Sequence, residues 1–300
     1  MTFRKTILLP LTLAALLIPL SLGARATDAS GETDIPRSRV DLFAGVDLNY
    51  RCIMLNERVY DFLVYATPGV KWHFGDGWLI SAQASIPLVN QWAAYYSYPR
   101  INVADISKEM TLGSHSLKLS AGIFSRERFG LDAKWLWPVC DWFALEAQAG
   151  LTGWWTMSGR FGFSPMERVT GLLTARFWME DAGTELRLSA GRYIYADYGA
   201  RFEWLRHFSR YVSVGAFVQW DEKYSQYYSR SWGGGARIVI MLPWQGSGRR
   251  RFTVRPASNL HVTYDYWADP YAMRMYDTDP EENLREGHFE GGPGWGFTAR

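Results

Sequence analysis

Cysteine is nearly absent from this chain: two occur in 300 residues. That is too few for a disulfide framework or a cysteine-rich zinc site. Histidine is scarce and scattered. His73, His115, His207, His261 and His288 show no pair at the four-residue spacing that lets one helix face hold zinc. Charge of one sign is missing as well. Thirty-two Lys and Arg stand against 30 Asp and Glu, a formal net of +2. Nucleic-acid binding would need a clustered basic face and is not expected. After the N-terminal segment no run reaches about 18 uncharged apolar residues, so no spanning helix is predicted. No P-loop, G-x-S-x-G or G-x-G-x-x-G stands in a strand–helix context. The reading is therefore of no cofactor, no metal and no enzyme.

What the chain has in surplus is aromatic rings. They make up 16% of it, with 15 Trp and 17 Tyr. Disordered chains are poor in such residues. With 28 Gly and 48% hydrophobic residues, the composition points to β structure.

Residues Met1–Ala26 read as a cleaved signal peptide. Arg4 and Lys5 precede an apolar run, Ile7 to Leu22, and Ala24-Arg25-Ala26 fits a cleavage site. Residues 27–37 are a polar lead-in. An exported chain can still span a bilayer, because a closed barrel satisfies its backbone between strands.

From Val40 onward the period is 2. Val40, Leu42, Ala44, Val46, Leu48 and Tyr50 alternate with residues such as Asp41, Asp47 and Asn49. Eleven residues suit a tilted membrane strand of about 9–11 better than an ordinary strand of about 5–6. Similar segments predict twelve strands, the last over Ala236–Leu242. Arg251–Pro256 paired with Leu260–Tyr266 would make fourteen. Short turns alternate with longer connections, the outer-membrane barrel pattern. The expected fold is thus all-β: a transmembrane antiparallel β-barrel over 38–267, of about 12 strands or alternatively 14. Residues 268–300 read as a mobile acidic tail. A soluble β-sandwich or lipocalin-like barrel also alternates, but its apolar face points inward. Here the polar face carries small residues and charges of both signs, which suits a polar lumen.

Tryptophans such as Trp72, Trp78, Trp142, Trp154, Trp220 and Trp232 fall at or near predicted strand ends. Amphipathic rings favour the headgroup level, so two interfacial belts are expected. Cys52 and Cys140 are predicted at opposite ends of the barrel. An apolar band about 25 Å tall would separate them, against the roughly 7 Å limit for bridged Cα atoms. No disulfide is expected between them. His261 with Asp265 is the nearest approach to a rim hydrolase pair, and no serine is tied to it by sequence.

Glu185, Arg187, Arg201, Glu203 and Arg237 form a candidate lumen charge network. Two readings stay open: salt-bridged structural filling, or a hydrated path for a polar polymer. Asp197 and Gly199 are predicted to make a tight loop between two strands.

This last region also carries a resemblance. Gly191-Arg192-Tyr193, Asp197, Gly199-Ala200, Glu203, Arg206 and Phe208 precede Val214-Gly215-Ala216-Phe217. The run resembles the YjbH family of outer-membrane proteins linked to exopolysaccharide production. Leu242-Pro243-Trp244 and Arg255-Pro256 are similar to further family landmarks, while Ala257-Ser258-Asn259 departs from the family pattern. The resemblance implies an outer-membrane barrel accessory to exopolysaccharide biosynthesis or secretion. Its implied partners are outer-membrane lipid, a polysaccharide and periplasmic export proteins. A general porin or structural barrel, and a barrel hydrolase, are the rival classes.

Overall fold

Successive side chains of a strand point to opposite faces, and this chain uses that rule over most of its length. The computed structural model describes residues 38–52, 60–91, 97–164, 168–209, 212–222, 232–241, 251–257, 259–266 and 275–280. They contain fifteen strands. These are β1 (Arg39–Cys52), β2 (Tyr60–His73), β3 (Trp78–Asn90), β4 (Arg100–Leu112), β5 (His115–Phe124), β6 (Arg128–Cys140), β7 (Phe143–Trp155) and β8 (Phe161–Gly162). Then come β9 (Val169–Met179), β10 (Thr184–Arg192), β11 (Tyr198–Ser209), β12 (Val212–Asp221), β13 (Trp232–Met241), β14 (Phe252–Pro256) and β15 (Asn259–Tyr266). No α-helix occurs among the described residues, and no helix there is long and apolar enough to cross a membrane. The predicted signal peptide and lead-in lie outside the described residues.

The twelve predicted strands are all present, and the two optional ones form as β14 and β15. The count is fifteen, not twelve or fourteen, because the connection after β7 adds a two-residue strand. This β8 pairs with Trp154 and Trp155 at the end of β7. Most strands exceed the alternating core that signalled them: β1 and β2 have 14 residues each. Turn residues such as Pro138 are absorbed into strand ends, since an edge-of-strand Pro needs no ladder donor.

From β1 to β13 the sheet is an antiparallel meander, with β7 pairing directly to β9. The C-terminal pairing differs from the expected hairpin. β14 and β15 do not pair with each other. They lie end to end along the free edge of β1, both parallel to it. β14 takes Val40–Ala44, β15 takes Asp47–Arg51, and Ala257 N–H donates to the Ala44 carbonyl between them at 2.7 Å. One long edge is thereby satisfied by two shorter strands, leaving few unpaired backbone groups. The other edge of β15 pairs antiparallel with β13, and β1 pairs along its whole length with β2.

The burial of the two faces is inverted relative to a soluble sheet. The buried face is mostly polar: Asp41, Lys71, Ser81, Asp105, Lys118 and Asp132 are among its members. The exposed face carries Leu42, Val46, Ile86, Leu173, Leu188 and Val218. Apolar core clusters are correspondingly small. One joins Phe124, Ile194 and Tyr276; another joins Leu136 and Ala144.

Aromatic contacts gather at the two ends. At the short-turn end Trp72 lies 5.4 Å from Phe74, and Phe143 4.9 Å from Phe177. At the other end Phe129 packs edge-on against Phe161 and Phe163. Trp204, exposed near the middle of β11, departs from the two-belt expectation.

The expected mobile tail needs a correction for six residues. Met275–Pro280 are packed against the polar face rather than free, and Tyr276, Thr278 and Asp279 are buried there. The rest of 268–300 lies outside the described residues.

Candidate functional site

The five predicted network residues do come together. Glu185 of β10 is fully buried and accepts from Arg187 on its own strand, Nε to Oε1 at 2.8 Å and Nη2 to Oε2 at 3.0 Å. Glu203 of β11 faces Arg237 of β13 at 2.9 Å, Arg201 at 3.6 Å and Arg187 at 4.0 Å. The register explains the meeting, because Arg187 stands directly opposite Glu203. Side chains opposite each other on one face of an antiparallel pair interact.

The hub of the network was not among those five. Arg176 of β9 donates Nε to Glu185 Oε1 at 2.6 Å, and its Nη1 reaches Glu146 of β7 at 3.3 Å. Arg176 lies opposite Arg187 in the ladder. Two like charges are thus held side by side by the carboxylate between them. His207 adds its Nε2 3.9 Å from Glu185, with Nδ1 2.7 Å from the Ser213 hydroxyl. Alternation alone placed Arg176 on the correct face, but only the register shows that it completes the site.

Asp197 lies where expected, buried in the tight connection between β10 and β11. Tyr193 N–H donates to the Asp197 carbonyl at 2.9 Å and Ala196 N–H to the Tyr193 carbonyl at 3.1 Å. Ala196 takes the left-handed conformation that closes the turn, with φ of 64°. Gly199 is not in that turn. It belongs to β11, opposite Gly191 and Asp221. The turn folds inward, so burial pushes the Tyr193 hydroxyl up to about 12, with the nearby Arg201 charge opposing.

A second cluster was not foreseen. Along one row of the polar face stand Ser120 (β5), Asp132 (β6), Gly150 (β7) and Thr170 (β9). Gly150 leaves a gap in the row, and the Tyr276 hydroxyl fills it. That hydroxyl donates to Asp132 Oδ2 at 2.8 Å and lies 3.3 Å from Thr170 Oγ1. A methyl group added at Gly150 would overlap the Tyr276 hydroxyl. The Tyr276 ring stacks on Phe124, centroids 5.1 Å apart. Burial, then the Asp132 charge, holds this phenol well above its ordinary pKa.

The neighbouring residues of the segment are held too. Ser125 N–H donates to the Asp277 carbonyl, and Asp277 N–H donates to Ser125 Oγ at 2.7 Å. Arg126 Nε donates to the Met275 carbonyl at 2.9 Å. Deeper in the interior, Asp279 meets Lys71 of β2 at 2.6 Å and Lys118 of β5 at 3.4 Å. Nothing within the segment itself marks it in the sequence, because its partners lie at least 106 residues away.

His261 and Asp265 lie on β15 at positions opposite Val239 and Gly235. Their side chains, and that of Cys52, lie outside the described residues. Cys140 ends β6 as a free thiol. Leu242-Pro243-Trp244 also lie outside the described residues.

No curated protein and no solved structure matches the chain. The family model described as exopolysaccharide biosynthesis protein YbjH matches residues 74–255. That stretch runs from the turn before β3 into β14 and holds both the arginine–glutamate network and the Tyr276 socket. The chain belongs to the YjbH family of exopolysaccharide biosynthesis proteins.

Proposed function

We propose that this chain is an outer-membrane β-barrel that serves exopolysaccharide production as a non-enzymatic accessory or secretion component. The observation that carries the membrane part is the inverted sheet. Charges such as Glu185 and Lys118 are buried, at 0% and 1% exposure, while Leu188 on the other face of the sheet is 52% exposed. In water that arrangement is unfavourable on both counts. In a bilayer it is the favourable one, with hydrocarbon outside and a polar interior. The pairing order supports the same reading, since β1 contacts both β2 and β15. The N-terminal signal peptide would deliver the chain to the periplasm. Outer-membrane lipid is its first partner, with polysaccharide and periplasmic export proteins as the others.

A general porin is the second reading. The filled interior speaks against it. The arginine–glutamate network and the Met275–Pro280 segment occupy the polar face, whereas an open pore needs a water-filled lumen.

A deletion strain tests the assignment. Loss of surface polysaccharide with unchanged uptake of small solutes is the expected result. Unchanged polysaccharide with impaired uptake would move the protein to the porins. The purified chain should also migrate faster unboiled than boiled on a denaturing gel. Identical migration would remove the membrane barrel.

A further inference from the structure

We propose that Met275–Pro280 is an internal plug whose Tyr276 ring and Asp279 carboxylate occupy a binding site for an acidic saccharide, which an incoming acidic glycan takes over. The proposal rests on the polysaccharide role argued above and names the chemistry of the ligand.

The plug belongs to no strand of the sheet. Its hold comes from specific contacts, and the receiving surface is built for them. Gly150 opens the gap that the Tyr276 hydroxyl fills, between the polar groups of Asp132 and Thr170. Phe124 offers a flat apolar face beside that gap. At the rim, Arg126 and Glu127 both take left-handed backbone conformations, with φ of 59° and 57°. They form the tight β5–β6 turn, whose central positions call for positive φ. Here the Arg126 side chain reaches the plug's Met275 carbonyl.

The carboxylate site has a definite sign. Lys71 and Lys118 come from strands separated by β3 and β4, yet both reach Asp279. Withdrawing Asp279 removes the anion that both buried ammonium groups share. A buried charge that loses its partner is costly, so a neutral sugar cannot displace the plug at low cost. An anion can. An oligouronate carries the same three elements as the plug, spread over more than one residue. The carboxylate of one residue would take the two lysines, while the hydroxyls and apolar ring face of another take Asp132, Thr170 and Phe124, since Lys118 and Phe124 stand six residues apart on β5. The plug is then a tethered competitor, present at an effective concentration set by its short connection to β15.

The test uses the full chain in detergent micelles, with tetragalacturonate as the acidic probe and cellotetraose as the neutral one. Folding is checked first by heat-modifiable migration. Calorimetry should show a Tyr276→Ala/Asp279→Asn variant binding tetragalacturonate about tenfold more tightly than the native chain, because the tethered competitor is gone. Adding Lys71→Gln and Lys118→Gln to that variant should abolish the gain. Cellotetraose should bind neither form appreciably. Tyr276→Phe removes only the plug's hydroxyl and leaves the gap at Gly150 open, so it should reproduce part of the gain if the double variant fails to fold. Equal tetragalacturonate affinity in native and plug-released chains overturns the proposal, as does equal binding of the two probes. A folded chain that binds no acidic probe in any form, in a protein whose deletion still abolishes surface polysaccharide, rejects the site and keeps the cellular role. A deletion without polysaccharide phenotype rejects the role instead.

Discussion

The polar face compensates its charges in two ways, and the two sectors differ in how far along the chain each must reach. Around β7 and β9–β13 the described ion pairs of Glu185 and Glu203 join strand to strand. Arg176 and Glu185 are 9 residues apart, Arg187 and Glu185 only 2, and Arg176 and Glu146 are 30. In the β2–β7 sector a segment outside the sheet is needed. Lys118 meets Asp279 across 161 residues and Asp132 meets Tyr276 across 144. Local pairs form as neighbouring strands zip together, whereas distant ones bear a loop-closure cost first. The network sector is therefore a fixed part of the sheet. The plug sector is completed by a piece that can leave without breaking a single ladder pair.

The largest expected effect breaks the fixed sector. Glu185→Gln removes the carboxylate from between Arg176 and Arg187, two arginines that stand opposite each other. Leaving buried charge uncompensated costs about 3–5 kcal/mol. Urea refolding into lipid vesicles should show a loss of that order. Asp279→Asn should cost clearly less, because Lys71 and Lys118 still stand opposite the carboxylates of Asp41 and Glu109 in the ladder. Equal losses from the two substitutions would erase the distinction between the sectors.

Both sectors share one apolar outer face, and Leu188→Arg tests what covers it. Leu188 lies near the middle of β10, half-exposed, on the opposite face from Glu185 and Arg187. An arginine on a lipid-facing position near the bilayer midplane costs about 2–4 kcal/mol. At an exposed site in water the change stays within roughly 0.5 kcal/mol. The same vesicle refolding measurement separates the two. A negligible loss would place water, not hydrocarbon, outside the sheet.

The difference between the sectors also explains what the sequence could reveal. Strand positions and faces were legible because a two-residue period is local: Asp41, Lys118, Arg187 and Glu203 all lie on the polar face as alternation requires. Pairing partners within a hairpin, such as Arg187 and Glu203, follow from the turn between them. The parallel docking of β14 and β15 on β1 was not legible. Their alternation reads the same whether they form a hairpin or lie end to end, and only the register on β1 tells the two apart. Tyr276 and Asp279 were hidden for a stronger reason. They sit in no periodic segment, and their acidic surroundings read as a solvated tail. The one trace in the sequence is Gly150, a missing side chain on the polar face of β7, and its meaning appears only when four strands are set in register.

The smallest expected effect lies within the fixed sector and asks how evenly its charges share the load. Glu203 Oε1 is approached by Arg237 at 2.9 Å and by Arg201 at 3.6 Å. Arg201 keeps about a quarter of its side chain exposed, at 27%, and its guanidinium lies 3.7 Å above the Phe217 ring. In Arg201→Ala, Glu203 retains Arg237 and, at 4.0 Å, Arg187. The carboxylate is then still compensated, and what is lost is one partly hydrated ion pair and a ring contact. Each of these is worth up to about 1 kcal/mol at exposed sites. Arg201→Ala should therefore lower the unfolding midpoint only slightly, by the equivalent of about 1 kcal/mol. Arg237→Ala, which removes the closest partner, should lower it more. If Arg201→Ala proved as damaging as Glu185→Gln, the network would act as one cooperative unit rather than as a buried hub with a dispensable rim.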